Sequence, residues 1–171
     1  LAEALSEAAV NLVWQGEAAM AFDRLEEALA LYRKAGDRWG EAQVLYRLGG
    51  TLVDTSGDSL GRDMLEESAK ILQGLGEKYL YVYVLISLGV NDTQLGNYTS
   101  ARAHLEQGLA VAREIKHPSG VADALTNLGD VCRIQGEYLT AQFHLEAAYK
   151  VYHEHGSNVW EAVVLCFLAD N

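Results

Sequence analysis

Histidines, cysteines and carboxylates are the side chains of this sequence that could ligate a metal or take part in catalysis. His104 and His144 occupy the same place in two successive sequence repeats, and His153 and His155 are separated by a single residue. Residues two apart on a helix point to different faces, and packed helices have axes about 8–10 Å apart, which is too wide for two ligands of one metal unless their side chains converge. We therefore expect surface histidines, with no metal and no cofactor.

Signatures of nucleophilic catalysis and of nucleotide binding do not occur in the sequence. Cys132 and Cys166 form no CxxC pair, no serine or cysteine lies in a nucleophile-elbow pattern, and no phosphate-binding glycine motif is present. The many carboxylates are most simply the solvated flanks of helices. Because no acid–base or nucleophile constellation can be nominated, we expect a protein that is not an enzyme and is located in the reducing cytoplasm.

The charge balance restricts the class of partner. Thirteen Lys and Arg face 24 Asp and Glu, which gives a net charge of −11. Phosphate backbones and anionic membrane surfaces are repelled by such a chain, so we expect no direct nucleic-acid or membrane binding. No signal-peptide pattern and no uninterrupted apolar run of about 18 residues occurs, which predicts a soluble chain. A neutral to basic protein or peptide is the expected partner.

The sequence segments that carry these side chains recur with a fixed period of 40 residues. One column of the repeat holds a leucine in every copy: Leu5, Leu45, Leu85, Leu125 and Leu165. A fixed period of about 20–50 residues is typical of arrays in which each unit buries its apolar face against its neighbours. The expected units are residues 1–40, 41–80, 81–120, 121–160 and a partial fifth unit, 161–171.

Each unit is predicted to contain two antiparallel helices, which makes the fold all-α with about nine helices. In the fourth unit the first helix is expected at about 121–135, with its apolar face at i, i+3, i+4 and i+7: Leu125, Leu128, Gly129 and Cys132. Gly136 then ends this helix, and a second one is expected from Tyr138 to about 154. Glycine in mid-helix costs roughly 1 kcal/mol against alanine, so the recurrence of Gly129 in the preceding repeats predicts a close helix crossing.

The two ends of the chain suggest a fragment of a longer protein. The sequence begins without Met inside a helix expected to end near Gln15, and it stops at Asn171 part way through another. The last stretch, 161–171, lacks a pairing helix and is expected to expose apolar residues such as Val163 and Phe167. This stretch is the expected site of any homodimer.

The run Leu125-x2-Leu128-Gly129-x2-Cys132, followed by Ala141-x3-Leu145, resembles the tetratricopeptide repeat (TPR) pattern W-x2-L-G-x2-Y…A-x3-F…P, and the resemblance covers the whole chain. Leucine replaces the Trp and Phe, and the period is 40 rather than about 34. We expect the added length at the end of each second helix and in connectors such as 35–42. This long form is similar to the arrays of bacterial LuxR-, SARP- and STAND-type transcriptional regulators, of Pins-type adaptors and of peptide-sensing Rap-type regulators.

The resemblance implies a right-handed superhelical solenoid whose first helices line a concave, partner-binding face. Carried over position by position, the predicted contact residues are Trp14, Gln43, Tyr46, Asp54, Tyr83, Ile86, Gln94, Asp123, Asn127, Asp130 and Arg133. The aromatic residues among them either anchor a partner's apolar side chains or simply pack on neighbouring helices.

Two functions follow from this architecture. The first is a protein-interaction module that binds a helix or an extended peptide in the concave groove, as the sensor or scaffold segment of a larger bacterial regulator. The alternative is a structural arm that self-associates through its open helical ends.

Overall fold

The computed structural model describes the backbone of residues 1–56 and 59–156 and the side chains of residues 1–51 and 60–156. Within these residues the chain forms eight α-helices and no strand. The helices are α1 (Ala2–Trp14), α2 (Ala18–Ala35), α3 (Arg38–Ser56), α4 (Ser59–Leu75), α5 (Lys78–Gln94), α6 (Tyr98–Glu114), α7 (Pro118–Ile134) and α8 (Tyr138–Glu154). The all-α prediction is confirmed, whereas the expected ninth helix and its self-association surface at 161–171 lie outside the described residues.

The chain divides into two compact units. Unit 1 is Leu1–Leu80 and contains α1 to α4, while unit 2 is Tyr81–Asn171 and begins inside α5. In unit 1 each helix packs on the next one along the chain, α1 on α2, α2 on α3 and α3 on α4. In unit 2, α6 packs on α7 and α7 on α8. Among the helices of the described residues, none combines the length and the apolar composition that crossing a membrane requires.

Apolar residues of the repeat columns form the interior of both units. The fully buried large side chains include Leu25, Leu45, Leu48, Leu65, Leu72, Leu105 and Leu145. The small-residue columns have the packing role that the sequence predicts: a Cβ atom placed on Gly129 would lie 2.7 Å from Leu145 Cγ and 3.4 Å from the carbonyl oxygen of Ala141. The side chains of Ala141 and Ala148 are fully buried on α8, as a close helix crossing requires.

The turn between α2 and α3 is shorter than the sequence predicts. Residues 35–42 were expected to form a connector, but α2 continues to Ala35 and α3 already begins at Arg38. Gly36 lies in the left-handed region with φ +70°, which ends α2 within one residue. The side chain of Asp37 then accepts a hydrogen bond from the Gly40 amide at 2.9 Å, as an N-cap does. The added length of the repeat is therefore found in the helices rather than in a connector.

The turn before α7 is also short, because a proline begins the helix. Pro118 is the first residue of α7, where its missing N–H and fixed φ are compatible with a helix. His117 before it is extended, with φ −102° and ψ 93°, as the residue preceding a proline prefers. Helix α7 consequently starts earlier than the position 121 expected from the apolar spacing, and α8 begins at Tyr138 as expected.

A buried carboxylate connects three helices of unit 1. Glu41 on α3 is 4% exposed. Its oxygens accept from Arg33 Nε of α2 at 2.8 Å and from Arg38 Nη1 at 2.5 Å. Arg33 also donates to Glu67 Oε1 of α4 at 2.9 Å. Because the charge of Glu41 is paired twice, its burial is compatible with a stable fold, and the network holds α2, α3 and α4 in register.

Candidate functional site

An open apolar cleft lies between α1 and α3 of unit 1, with a volume of about 250 Å³. Its walls are made by Ala9, Val10, Val13 and Trp14 of α1, Leu25 of α2, and Tyr46, Arg47, Gly50 and Thr51 of α3. We refer to these nine residues as the α1–α3 cleft. Two predicted aromatic contact residues, Trp14 and Tyr46, lie in it together, and the Trp14 side chain is 85% exposed.

Helical spacing explains why these side chains meet. Val10, Val13 and Trp14 are at i, i+3 and i+4 and therefore share one face of α1. Tyr46 and Gly50 are at i and i+4 on the facing side of α3. A Cβ atom placed on Gly50 would find no heavy atom within 4 Å, so the missing side chain of this glycine leaves the cleft open.

The polar groups at the edge of the cleft are bonded within the protein. Arg47 donates from Nη1 to the Ser6 carbonyl oxygen at 2.9 Å and from Nη2 to Glu7 Oε1 at 3.0 Å. Thr51 Oγ1 donates to the carbonyl oxygen of Arg47 at 2.9 Å. The surface offered to a ligand is therefore largely apolar, and Arg47 links α3 to α1.

A second, more polar recess of about 370 Å³ lies at the opposite end of α1 and holds the predicted residue Gln43. Its other lining residues are Leu1, Ala2, Glu3, Ser6, Glu7, Tyr32, Asp37 and Trp39. Burial, followed by the nearby carboxylates of Glu3 and Asp37, raises the pKa of Tyr32. The Tyr32 hydroxyl is thus a neutral hydrogen-bonding group at ordinary pH.

In unit 2 the predicted contact residue Asp123 is engaged inside the fold. The Tyr152 hydroxyl of α8 donates to Asp123 Oδ1 of α7 at 2.5 Å. Burial raises the pKa of Asp123, while the hydrogen bond from Tyr152 and the proximity of His117 act in the opposite direction. Burial, followed by the bond to Asp123, also raises the pKa of Tyr152. The Asp123 carboxylate therefore links α7 to α8, and it is already engaged in this bond when a partner approaches.

Replacing Asp123 by Asn is expected to raise the unfolding midpoint at pH 7. A carboxyl whose folded-state pKa is raised is most easily accommodated when protonated, so its contribution to stability falls as pH rises through that pKa. The amide of Asn is neutral and still accepts from Tyr152. In thermal unfolding followed by circular dichroism, the advantage of the variant should shrink as pH falls towards 3.8, the ordinary pKa of the carboxyl. Asp130→Asn on the same helix is the control, and an equal rise in that variant would contradict the explanation.

The remaining predicted residues of unit 2 differ in what they offer a partner. Tyr83 is bonded through its hydroxyl to His117 Nε2 at 2.9 Å, with the two rings edge to face at 5.4 Å. Ile86 is only 8% exposed and packs in the core of unit 2, so it contributes packing rather than contact surface. Gln94 is exposed at the last residue of α5.

Three other predicted contact residues carry polar groups that are already bonded within α7. Asn127 Nδ2 donates to the Asp123 carbonyl oxygen at 2.8 Å. Arg133 Nη2 and Asp130 Oδ1 form an ion pair at 2.7 Å, with both side chains partly exposed. The side chain of Asp54 lies outside the described residues. Sequence reasoning thus placed these residues on the correct helices but did not identify the bonds that occupy them.

The side chains that line the cleft are not the same in every repeat. The position two repeats further along the sequence holds Gln94 in place of Trp14 and Thr93 in place of Val13. The same shift replaces Tyr46, Arg47 and Gly50 by three polar residues, Thr126, Asn127 and Asp130. The repeat scaffold therefore does not require apolar side chains at these positions in every copy.

Metal ligation has little support in the described ranges. No group of three or more His, Cys, Asp or Glu side chains within residues 1–51 and 60–156 is arranged to hold a metal ion. His104 Nδ1 lies 2.9 Å from Oδ2 of the fully buried Asp92, which ties α6 to α5. The α1–α3 cleft is accordingly the strongest candidate site.

Comparisons with known proteins agree with this architecture. The family model "Tetratricopeptide repeat" matches residues 83–115. No curated protein matches the chain by sequence. The match covers one repeat, and together with the helix pairs described above and the structural similarities below it supports a TPR-like fold.

Three solved structures share the fold at low sequence identity. BtubC (BKLC) from P. vanneervenii has a TM-score of 0.81 at 18% identity and covers 91% of this chain, which spans 65% of that one. The apo form of RapI has a TM-score of 0.87 at 17% identity, over 95% of this chain and 60% of that one. A Rap protein complexed with Competence and Sporulation Factor has a TM-score of 0.79 at 18% identity, over 89% and 43%. This chain therefore spans about two fifths to two thirds of the length of these structures.

Proposed function

We propose that this TPR-type array is a protein-interaction module that binds a neutral to basic peptide or helix, with the α1–α3 cleft as its principal anchor site. It works by binding and not by catalysis, in the cytoplasm, as the sensor or scaffold segment of a larger bacterial regulator. The observation that carries the proposal is the apolar cleft in which Trp14 and Tyr46 lie together.

The exposure of Trp14 supports a binding role over a packing role. A tryptophan that served only to fill space would be largely covered, whereas 85% of Trp14 is exposed beside an open cavity. Tryptophan and tyrosine dominate interface hot spots, where a concave apolar pocket receives a partner's side chain. The Rap structure with Competence and Sporulation Factor adds a fold-level analogy only.

The charge of the chain supports a neutral to basic partner. The net charge is −11, and α1 itself carries Glu3 and Glu7 with no basic residue. Complementary charge accelerates encounter and disfavours acidic competitors, whereas the apolar anchors supply most of the affinity. Lysine or arginine beside the anchoring residues of the partner is therefore expected.

Selection of peptides from a displayed random library tests the proposal. Peptides enriched on the chain should bind at least about thirtyfold more weakly to the double variant Trp14→Ala, Tyr46→Ala, because truncating a hot-spot aromatic costs about 2 kcal/mol or more. Isothermal titration calorimetry measures the affinities. Phe143→Ala is the matched control, since Phe143 is an aromatic residue 69% exposed on α8. Enriched peptides that bind the double variant as tightly as the parent chain would show that the cleft is not the site.

A further inference from the structure

The dimensions of the α1–α3 cleft specify its occupant more closely. We infer that the cleft receives two apolar side chains, a phenylalanine and an aliphatic residue at i and i+4 of a lysine-flanked helix. This inference rests on the proposed function and deepens it.

The volume sets the number of anchors. A cavity of about 150 Å³ is large enough to bind benzene. The cleft holds about 250 Å³, which accommodates one phenyl ring and an aliphatic neighbour. A single leucine would leave much of the apolar wall in contact with water.

The length of the cleft sets the spacing of the anchors. On α1 the lining residues run from Ala9 to Trp14, and five helical rises of about 1.5 Å make this roughly 7.5 Å along the axis. Side chains at i and i+4 of a partner helix are separated by about 6 Å along its axis, whereas i and i+7 are separated by about 10.5 Å. Two anchors one turn apart therefore fit, and a third does not.

The walls also favour a helical occupant. Val10 and Trp14 form an i, i+4 row on α1, Tyr46 faces them from α3, and Gly50 leaves a gap one turn further along α3. A row of this kind is a ridge, and the groove beside it can receive the side chains of a third helix. An extended peptide presents no i, i+4 row that could pack along this ridge.

A defined helical peptide tests the inference. The probe is an alanine-based helix of about 16 residues, just long enough for an isolated helix to form in water. It carries lysines off the anchoring face and Phe and Leu at i and i+4. Binding is followed by calorimetry and by the fluorescence of Trp14, in a chain carrying Trp39→Phe and Trp160→Phe. We expect a blue shift of Trp14 emission as its ring is covered, and loss of binding when the anchors are moved to i and i+2.

A cleft-blocking variant supplies the control on location. Gly50→Leu places a side chain in the opening, and because a Cβ atom there meets nothing, the helix tolerates it. Gly74→Leu on α4 is the matched control, because Gly74 has the same open surroundings and lies outside the cleft. Binding of the probe should fall at least tenfold in Gly50→Leu and stay unchanged in Gly74→Leu.

The possible failures separate the two proposals. Equal affinity of the i, i+4 and i, i+2 peptides would overturn the occupant while leaving a cleft that Gly50→Leu still blocks. Absence of probe binding would likewise overturn the occupant, and the library-selected peptides would then decide the proposed function by themselves. If Gly50→Leu does not weaken the binding of the library-selected peptides, both the inferred occupant and the proposed role of the cleft are overturned.

Discussion

Replacing Leu145 by Ala is expected to lower the free energy of unfolding of unit 2 by about 3 kcal/mol. Leu145 on α8 is fully buried and belongs to the core cluster of the unit, where its Cγ atom faces Gly129 of α7. Truncating a buried leucine removes its transfer free energy and leaves a cavity, which together cost about 2–5 kcal/mol. Glycine at the facing position cannot fill the space, so the core has little means of relaxing.

Leu139→Ala is the matched control for this prediction. Leu139 lies on the same helix and undergoes the same chemical change, but it is 85% exposed. Exposed substitutions of this kind usually alter stability by less than about 0.5 kcal/mol. Urea unfolding followed by circular dichroism compares the two variants, and hydrogen exchange should show the loss of protection in α7 and α8. Similar destabilisation by both substitutions would mean that the α7–α8 packing is not as described.

The second large effect is expected at two adjacent glycines of α3 that should respond with opposite signs. Gly49→Ala should lower the free energy of unfolding by about 1–2 kcal/mol, although alanine is the better helix former. Its Cβ atom would lie 2.7 Å from Leu65 Cγ and 2.9 Å from the carbonyl oxygen of Gly61, and a backbone oxygen cannot rotate away. Gly50→Ala meets nothing and should raise the free energy of unfolding by about 0.5–1 kcal/mol.

The comparison is internally controlled because both changes share the helix, the residue types and the effect on the unfolded chain. Thermal and urea unfolding of the two variants measure the difference directly. Two variants of equal stability would show that the close approach of α4 to α3 at Gly49 does not constrain the side chain.

Much of the fold was predictable because the packing constraint repeats. The recurring columns of leucine and of small residues mark the buried stripe of each helix, and Gly136, with φ +77°, ends α7 as the sequence predicts. The turn between α2 and α3 was predicted to be too long, because Trp39 and Gly40 resemble residues of a connector. The left-handed Gly36 and the Asp37 cap in fact complete the turn earlier, so both residues belong to α3.

The candidate site was predictable only in part. Helical position alone was enough to place Trp14 and Tyr46 on facing helices, and the structure brings them to one cleft. Helical position did not reveal that Asp123 is bonded to Tyr152, because this contact joins two different helices and depends on the rotation of α8 against α7. Pairings of this kind are set by side-chain geometry after the helices have docked and leave no periodic trace in the sequence.

The nearest-neighbour order of the helix packing has a consequence for synthesis of the chain. In unit 1 each helix packs on its successor, and α6, α7 and α8 do the same in unit 2. Contacts between consecutive elements close short loops, which keeps the entropic cost of each step small and is typical of fast-folding chains. At about 5–20 residues per second, a ribosome delivers one repeat of this chain in roughly 2–8 s. Each helix pair can therefore form as soon as it emerges. Its exposed apolar surface is covered when the next pair packs on it, which limits the time during which this surface could cause aggregation.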